Sequence, residues 1–271
     1  MKVTIEAGRT ESHYWKDLWN YRELFYFLAW RDLLVRYKQT VIGVAWAVLR
    51  PLLTMLALTL VFGKLAKLPS DGVPYPLLVF AALLPWQFFA SSFSEAGNSL
   101  ISNSNMISKV YFPRMTIPAS SIIVSLVDFL ISLVLLALLM LWYGFVPGWR
   151  ILILPLFTII AVAASLGGGL WIAALNVKYR DFRYVIPFVV QFGLYVSPVG
   201  FSSNIVPESW RFVYSLNPMV GVIDGFRWAI LGGESNLYLP GFLASIVTVI
   251  ILLATGYMYF RKTEKIFADV I

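Results

Sequence analysis

Six apolar stretches, each about as long as one bilayer crossing, decide what this chain can fold into. They run over 41–61, 75–93, 117–145, 151–175, 184–201 and 239–260. A helical crossing takes roughly 20 apolar residues, and a span in hydrocarbon must satisfy its own backbone hydrogen bonds. The stretches lack the period-two alternation of barrel strands. The expected fold class is therefore all-α, a polytopic membrane protein with six transmembrane helices. With 59% of the chain hydrophobic and only 13% charged, a second globular domain has no room.

The charges fix an expected orientation. Six crossings put both ends on one side, and the termini with the second and fourth loops hold fifteen Lys and Arg, from Lys2 to Lys265. The other side holds five: Lys64, Lys67, Arg150, Arg211 and Arg227. By the positive-inside rule both termini are expected in the cytoplasm. The expected organisation is a cytoplasmic N-terminal segment over 1–38, a six-span permease domain over 39–265 and a cytoplasmic tail over 266–271. No leader pattern opens the chain, so insertion is expected to use the internal spans. A net charge of +7 in so apolar a chain reads as topology and contact with anionic headgroups, not nucleic acid.

Two segments outside the spans carry further pattern. From Tyr14 to Lys38, Trp15, Trp19, Phe25 and Leu28 mix with Lys16, Arg22, Arg31, Asp32 and Arg36, without Pro or Gly. This composition suits an amphipathic helix in the membrane interface, as either a plain anchor or a docking surface. The external segment 202–238 is too long for a turn. Pro207 and Pro218 at first-turn positions, Asn217 as an N-cap and Gly232-Gly233 as a stop predict two short re-entrant helices there. They serve as a gate or simply pack over the bundle. In the fourth span Ala161, Ser165, Gly169 and Ala173 recur every four residues beside Gly167 and Gly168, a small-residue ladder that lets another helix approach closely. Packing within the subunit is the default reading and dimer contact the second.

Chemistry-bearing motifs are missing. The sequence holds no Walker-type phosphate loop, no G-x-S-x-G, no H-E-x-x-H and no paired carboxylates. It has no cysteine and one histidine, His13, so thiolate and multi-histidine metal sites are ruled out. No enzymatic activity of its own, no cofactor and no metal are expected. Charge inside a span is costly and marks a pair or a water-filled cavity. Arg50 and Asp128 are such charges, at depths that agree within roughly 3 Å at 1.5 Å per residue, and an intramembrane ion pair is expected. Aromatics make up 16% of the chain. Most belong to interfacial belts, while some, with Trp86, Phe89 and Tyr195 as candidates, can line a path on which sugar rings slide.

The loop Met106-Ile107-Ser108-Lys109-Val110-Tyr111-Phe112-Pro113-Arg114 resembles the cytoplasmic loop of bacterial polysaccharide-export permeases of the ATP-binding-cassette superfamily. Arg31-Asp32 with Arg36-Tyr37-Lys38-Gln39-Thr40-Val41-Ile42-Gly43, then Asn176 to Arg183, Ser197-Pro198-Val199 and Asn217-Pro218-Met219, are similar to further landmarks of that family in the same order.

The resemblance covers nearly the whole chain. It implies a homodimer with two separate ATPase subunits that hold ATP and Mg, exporting a lipid-linked O-antigen or capsular glycan across the bacterial inner membrane. It also implies ATPase-coupling roles for Arg31, Asp32, Lys109, Tyr111, Phe112, Pro113 and Arg114, the aromatics and Pro wedging into a cleft on the partner. The gate would comprise Pro207, Trp210, Pro218, Phe226 and Trp228. The conduit would lie between protomers along the first and fifth spans, with Arg50 facing it and binding a lipid diphosphate instead of Asp128. Alternatives are a related exporter of teichoic acid, lipid or drug, a membrane-embedded processing enzyme, which would need acidic or histidine clusters, and a proton-coupled carrier, which would need more titratable sites than Asp128.

Overall fold

The computed structural model describes residues 11–38, 43–70, 72–179, 181–232 and 237–267. Gly233, Arg180, residues 39–42 of the predicted landmark and most of the predicted tail lie outside the described residues. Every regular element described is helical. Helices α1 (Glu11–Asn20) and α2 (Arg22–Lys38) precede α3 (Gly43–Leu58), which continues as a wide π turn over Thr59–Leu65. There follow α4 (Tyr75–Ser102), α5 (Ser104–Ile107), α6 (Thr116–Trp142), α7 (Leu154–Lys178), α8 (Phe182–Val196), α9 (Glu208–Tyr214), α10 (Pro218–Leu231) and α11 (Leu239–Thr263).

Among the described residues five helices are long and apolar enough to cross a membrane, and α8 is a shorter apolar helix. Its fifteen residues span about 22 Å at 1.5 Å each, less than the ~30 Å hydrocarbon core. The helix predicted through Phe201 stops at Val196 because Pro198 drives the preceding residue out of the helical region. Ser197 accordingly sits at φ −83°, ψ 152°.

Helix α4 forms the centre of the bundle. Its residues from Leu77 to Trp86 are buried without a break, and α6, α7, α10, α3 and α8 surround it. A hydrophobic drive between helices is weak in lipid, so close backbone approach through small residues carries the packing. The predicted ladder on α7 does this within the subunit. Gly169 faces Ala96 of α4, and Gly167 lies so close to α11 that a Cβ there would stand 2.7 Å from the Leu253 backbone nitrogen. Ala161, Ser165 and Ala173 are all buried, which removes the ladder from any dimer surface.

The N-terminal segment is helical as expected, in two pieces, α1 and α2. It bends at Tyr21, whose N–H still bonds Asp17. Arg31 bonds Asn103 just beyond the end of α4, whereas Arg36 reaches Glu95 and Asp128, well inside α4 and α6. Helix α2 therefore descends along the bundle instead of lying flat across its end.

Candidate functional site

Where α2, α3, α4, α6 and α8 meet, they line a half-open cavity of about 510 Å³. Its wall combines Arg36, Arg50, Glu95 and Asp128 with Tyr37, Gln87, Ser91, Ser94, Ser125 and Ser132, and with the rings of Trp46, Phe88 and Phe129. Asp128 lies on α6 twelve residues past Thr116, about 18 Å along the helix. Arg36 pairs with it at 2.9 Å, the Tyr37 hydroxyl donates to its Oδ1, and Arg36 also stands 3.6 Å from Glu95.

This corrects the expected Arg50–Asp128 pair. Both residues line one cavity, but the partner of Asp128 comes from the helix before the first span. Arg50 has no ion pair among the described residues, and the buried Ser125 hydroxyl has no hydrogen-bond partner. The chamber thus holds two cations against two carboxylates, with Arg50 outside any ion pair among the described residues and one unused hydroxyl group, at a depth where polar groups mark pathways.

The conduit candidates divide. Trp86 and Phe89 are buried, Trp86 lying against Gly193 of α8 and Phe89 stacked on Phe93. They support α8 from behind and do not face open space. Tyr195 is exposed, in line with Tyr184, Phe188 and Phe192 at helical spacing, 79% to 57% exposed, and the rings of Phe188 and Phe192 stack at 5.6 Å. Sequence reasoning named only the last member of this stripe, although the four-residue spacing was visible.

At the far end of the bundle the two predicted short helices form. Asn217 caps α10, its side chain accepting from the Met219 N–H, and Pro218 opens it. Pro207 and Trp210 lie exposed at α9 and Pro218 is half-buried. Phe226 is the correction: it is fully buried against Phe129 and Phe157, because α10 dips into the bundle between α4, α7 and α11. Trp228 is half-buried, with the Arg150 guanidinium 4.9 Å over its ring.

Arg227 was read from sequence only as a loop charge, yet it is buried and donates to the carbonyls of Leu78, Val199 and Phe201. The Tyr75 hydroxyl donates to the Gly200 carbonyl at 2.7 Å. Non-helical backbone at membrane depth is tolerated only where protein satisfies it, and these donors do so for the turn segment after α8.

At the other end, the 106–114 loop points in two directions. Lys109, Val110 and Tyr111 are exposed, Tyr111 by 59%. Phe112 and Pro113 are buried in the subunit's own second core with Met115, Ile117 and Phe267. The expectation that Phe112 and Pro113 wedge into a partner is thereby corrected. Arg114 turns inward to the backbone carbonyl of Glu264. Arg31 and Asp32 pair with each other at 2.7 Å on the half-exposed side of α2.

A helical bundle with several membrane-crossing helices and a half-open cavity lined by paired charges has the form of a transport subunit. The comparisons with known proteins make that class specific. The family model for ABC-2 type transporters matches residues 23–231, and the chain belongs to that family. It is 28% identical over 253 residues to the O-antigen export system permease protein RfbA of Myxococcus xanthus, covering 92% of this chain and 96% of the relative. It is 29% identical to the protein of the same name from Klebsiella pneumoniae, covering 89% and 92%. The polysialic acid transport protein KpsM of Escherichia coli is 23% identical, covering 87% and 91%.

Proposed function

We propose that this chain is the permease subunit of a bacterial exporter that moves a lipid-linked polysaccharide, of O-antigen or capsule type, across the inner membrane. Two copies form the conduit, and two ATP-binding-cassette subunits bind ATP and Mg and hydrolyse the nucleotide. Both termini face the cytoplasm.

The observation that carries the reading is the contrast between exposed faces. Helices α6, α7 and α11 expose aliphatic side chains such as Leu130, Val134, Ile159, Val247 and Ile250, as lipid demands, while α8 exposes the Tyr184, Phe188, Phe192 and Tyr195 stripe with Gln191 beside it. Four aromatic rings, of which Tyr184 and Tyr195 carry a polar tip, suit a cargo that presents both C–H faces and hydroxyl groups. Phe62 from the end of α3 packs on Gly200 and Phe201 just after α8, which makes α3 and α8 neighbouring walls. Arg50 on α3 is placed to attract the diphosphate of the carrier lipid. The three other cases weighed from sequence gain no observation of their own.

ATP-driven closure of the partner subunits reaches the permease through α2 and the exposed tip Lys109–Tyr111, and the α3 and α8 walls of the two copies part for the glycan. The two aromatics of the loop separate contact from folding. Tyr111→Ala is expected to leave the permease folded and weaken its hold on the ATPase subunit roughly tenfold or more, as loss of an interface aromatic anchor does. Phe112→Ala is expected to cost the permease about 3–5 kcal/mol of stability, the usual range for a buried Phe truncation. Co-purification of the two subunits and thermal unfolding of the permease read the two effects. Normal ATPase binding by the Tyr111 variant sinks the assignment of the tip.

A further inference from the structure

Glu264 stands at the meeting point of three segments far apart in sequence. It follows the end of α11 and is almost wholly buried, where a carboxylate persists only if its oxygens are taken up by donors. Oε1 accepts the Tyr14 hydroxyl of α1 at 3.2 Å and the Arg114 backbone N–H of the loop at 2.9 Å. Oε2 accepts Arg261 at 2.6 Å, and the Glu264 carbonyl takes the Arg114 guanidinium. The Arg261 guanidinium also lies 3.4 Å over the Tyr14 ring. Burial and the adjacent carboxylate hold the Tyr14 phenol well above its ordinary titration range, so it remains a donor. Around this knot Phe112, Phe260 and Phe267 form a dry core.

We infer that Glu264 is a positioning residue that fastens the loop carrying Lys109–Tyr111 to α1 and α11, so that a push on the loop tip moves all three as one body. The inference rests on the proposed contact between that tip and the ATPase, and it adds the route by which force leaves the loop. A loop held only by its two chain ends would yield under load, whereas one whose backbone N–H and side chain both bond a buried carboxylate residue cannot move without it. Tyr111 is then the surface that is pushed, and Glu264 the point through which α11 is pulled.

The test uses the full permease assembled with its ATPase subunits in lipid nanodiscs, in three arms. Hydrogen–deuterium exchange over residues 108–116 reads the fastening itself. Glu264→Ala is expected to speed exchange there at least tenfold while the central α4 stays protected, and an unchanged loop overturns the inference.

The second arm reads coupling. The chain has no native cysteine, so Phe192→Cys gives a single maleimide-reactive site on α8, and its labelling rate is compared with and without ATP. Glu264→Ala is expected to cut the ATP-driven change in labelling about tenfold while the assembled complex still hydrolyses ATP. A loosened loop with an undiminished response also overturns the inference, since a merely structural residue would behave that way.

If Glu264→Ala fails to assemble, Glu264→Gln takes its place: the amide keeps an acceptor oxygen but loses the charge facing Arg261. About a threefold loss of response is then expected, and none counts against the inference. Should the parent complex show no ATP-driven labelling, the conduit reading falls, and the exchange arm alone decides whether Glu264 fastens the loop.

Discussion

Gly256→Val is expected to leave little or no folded permease in the membrane. A Cβ at position 256 would stand 2.4 Å from the Gly167 carbonyl oxygen, and one at 167 would stand 2.8 Å from the Leu253 Cα. Both clashes are with backbone, so no side-chain rotation relieves them. Helices α7 and α11 would have to separate along an interface among the most extensive in the bundle. Overpacking of a tight core costs about 1–3 kcal/mol or more, and the upper end applies where main chain meets main chain. Detergent-solubilised yield and thermal unfolding check the prediction. Gly148→Val, at a position where nothing lies within 4 Å, is the control and should behave as the parent does.

Arg227→Leu is expected to be nearly as damaging, for an electrostatic reason. The guanidinium donates to three carbonyls at 2.7 to 3.2 Å, two of them on the turn segment that follows α8. Leucine fills much of the volume but leaves those acceptors dry. Hydrogen bonds from a charged donor contribute about 1.5–3 kcal/mol each, and leucine also relieves the cost of burying the guanidinium, so a net loss on the order of 3–5 kcal/mol is expected. Arg227→Lys should rescue little of it, because a single ammonium on a flexible stem cannot reproduce a planar fork bonded to separate partners. Unfolding midpoints of the three proteins compare them directly, and a lysine variant as stable as the parent would assign Arg227 a role as mere charge.

Arg227 also shows where sequence reading stops. Span positions were legible because a bilayer imposes a minimum apolar length on every crossing, and α9 and α10 because Asn217-Pro218 is local cap chemistry. The ladder around Gly169 was legible as a close helix contact for the same kind of reason.

What failed depends on contacts remote in sequence. Arg227 sits in a segment between spans, so it was counted with the loop charges, while α10 carries it into the interior. Arg50 and Asp128 were matched by depth alone, which says nothing about the direction a side chain faces or about α2 descending beside them. Phe112 lies next to exposed residues in a short loop, and its burial depends on residues such as Phe267 near the other end of the chain. The Tyr14–Glu264 bond spans 250 residues, and no local pattern announces it.

The polar chamber and the aromatic stripe occupy opposite kinds of environment yet share α8, since Val190 lines the chamber while Phe188 and Phe192 point outward. A shift of α8 therefore changes both at once. The far end of α8 is held by the Asn217 amide bonding Ser197 at 3.0 Å and by the carbonyl clasp of Arg227 and Tyr75. Its opposite end follows the loop after α7, which has no comparable clasp among the described residues. Movement is thus expected to pivot at Ser197–Phe201, with the Tyr184 end swinging furthest.

Joining the α8 stripes of two copies reads directly whether they face a common conduit. With no native cysteine present, Phe188→Cys can be crosslinked between copies in membranes by a thiol reagent of short reach while glycan export is followed at the cell surface. A crosslinked dimer is expected, whose export stops and returns when a cleavable linker is reduced. Phe188→Cys that never crosslinks between copies, although lipid-soluble maleimide labels it fully, would place the stripe against lipid and contradict a common conduit.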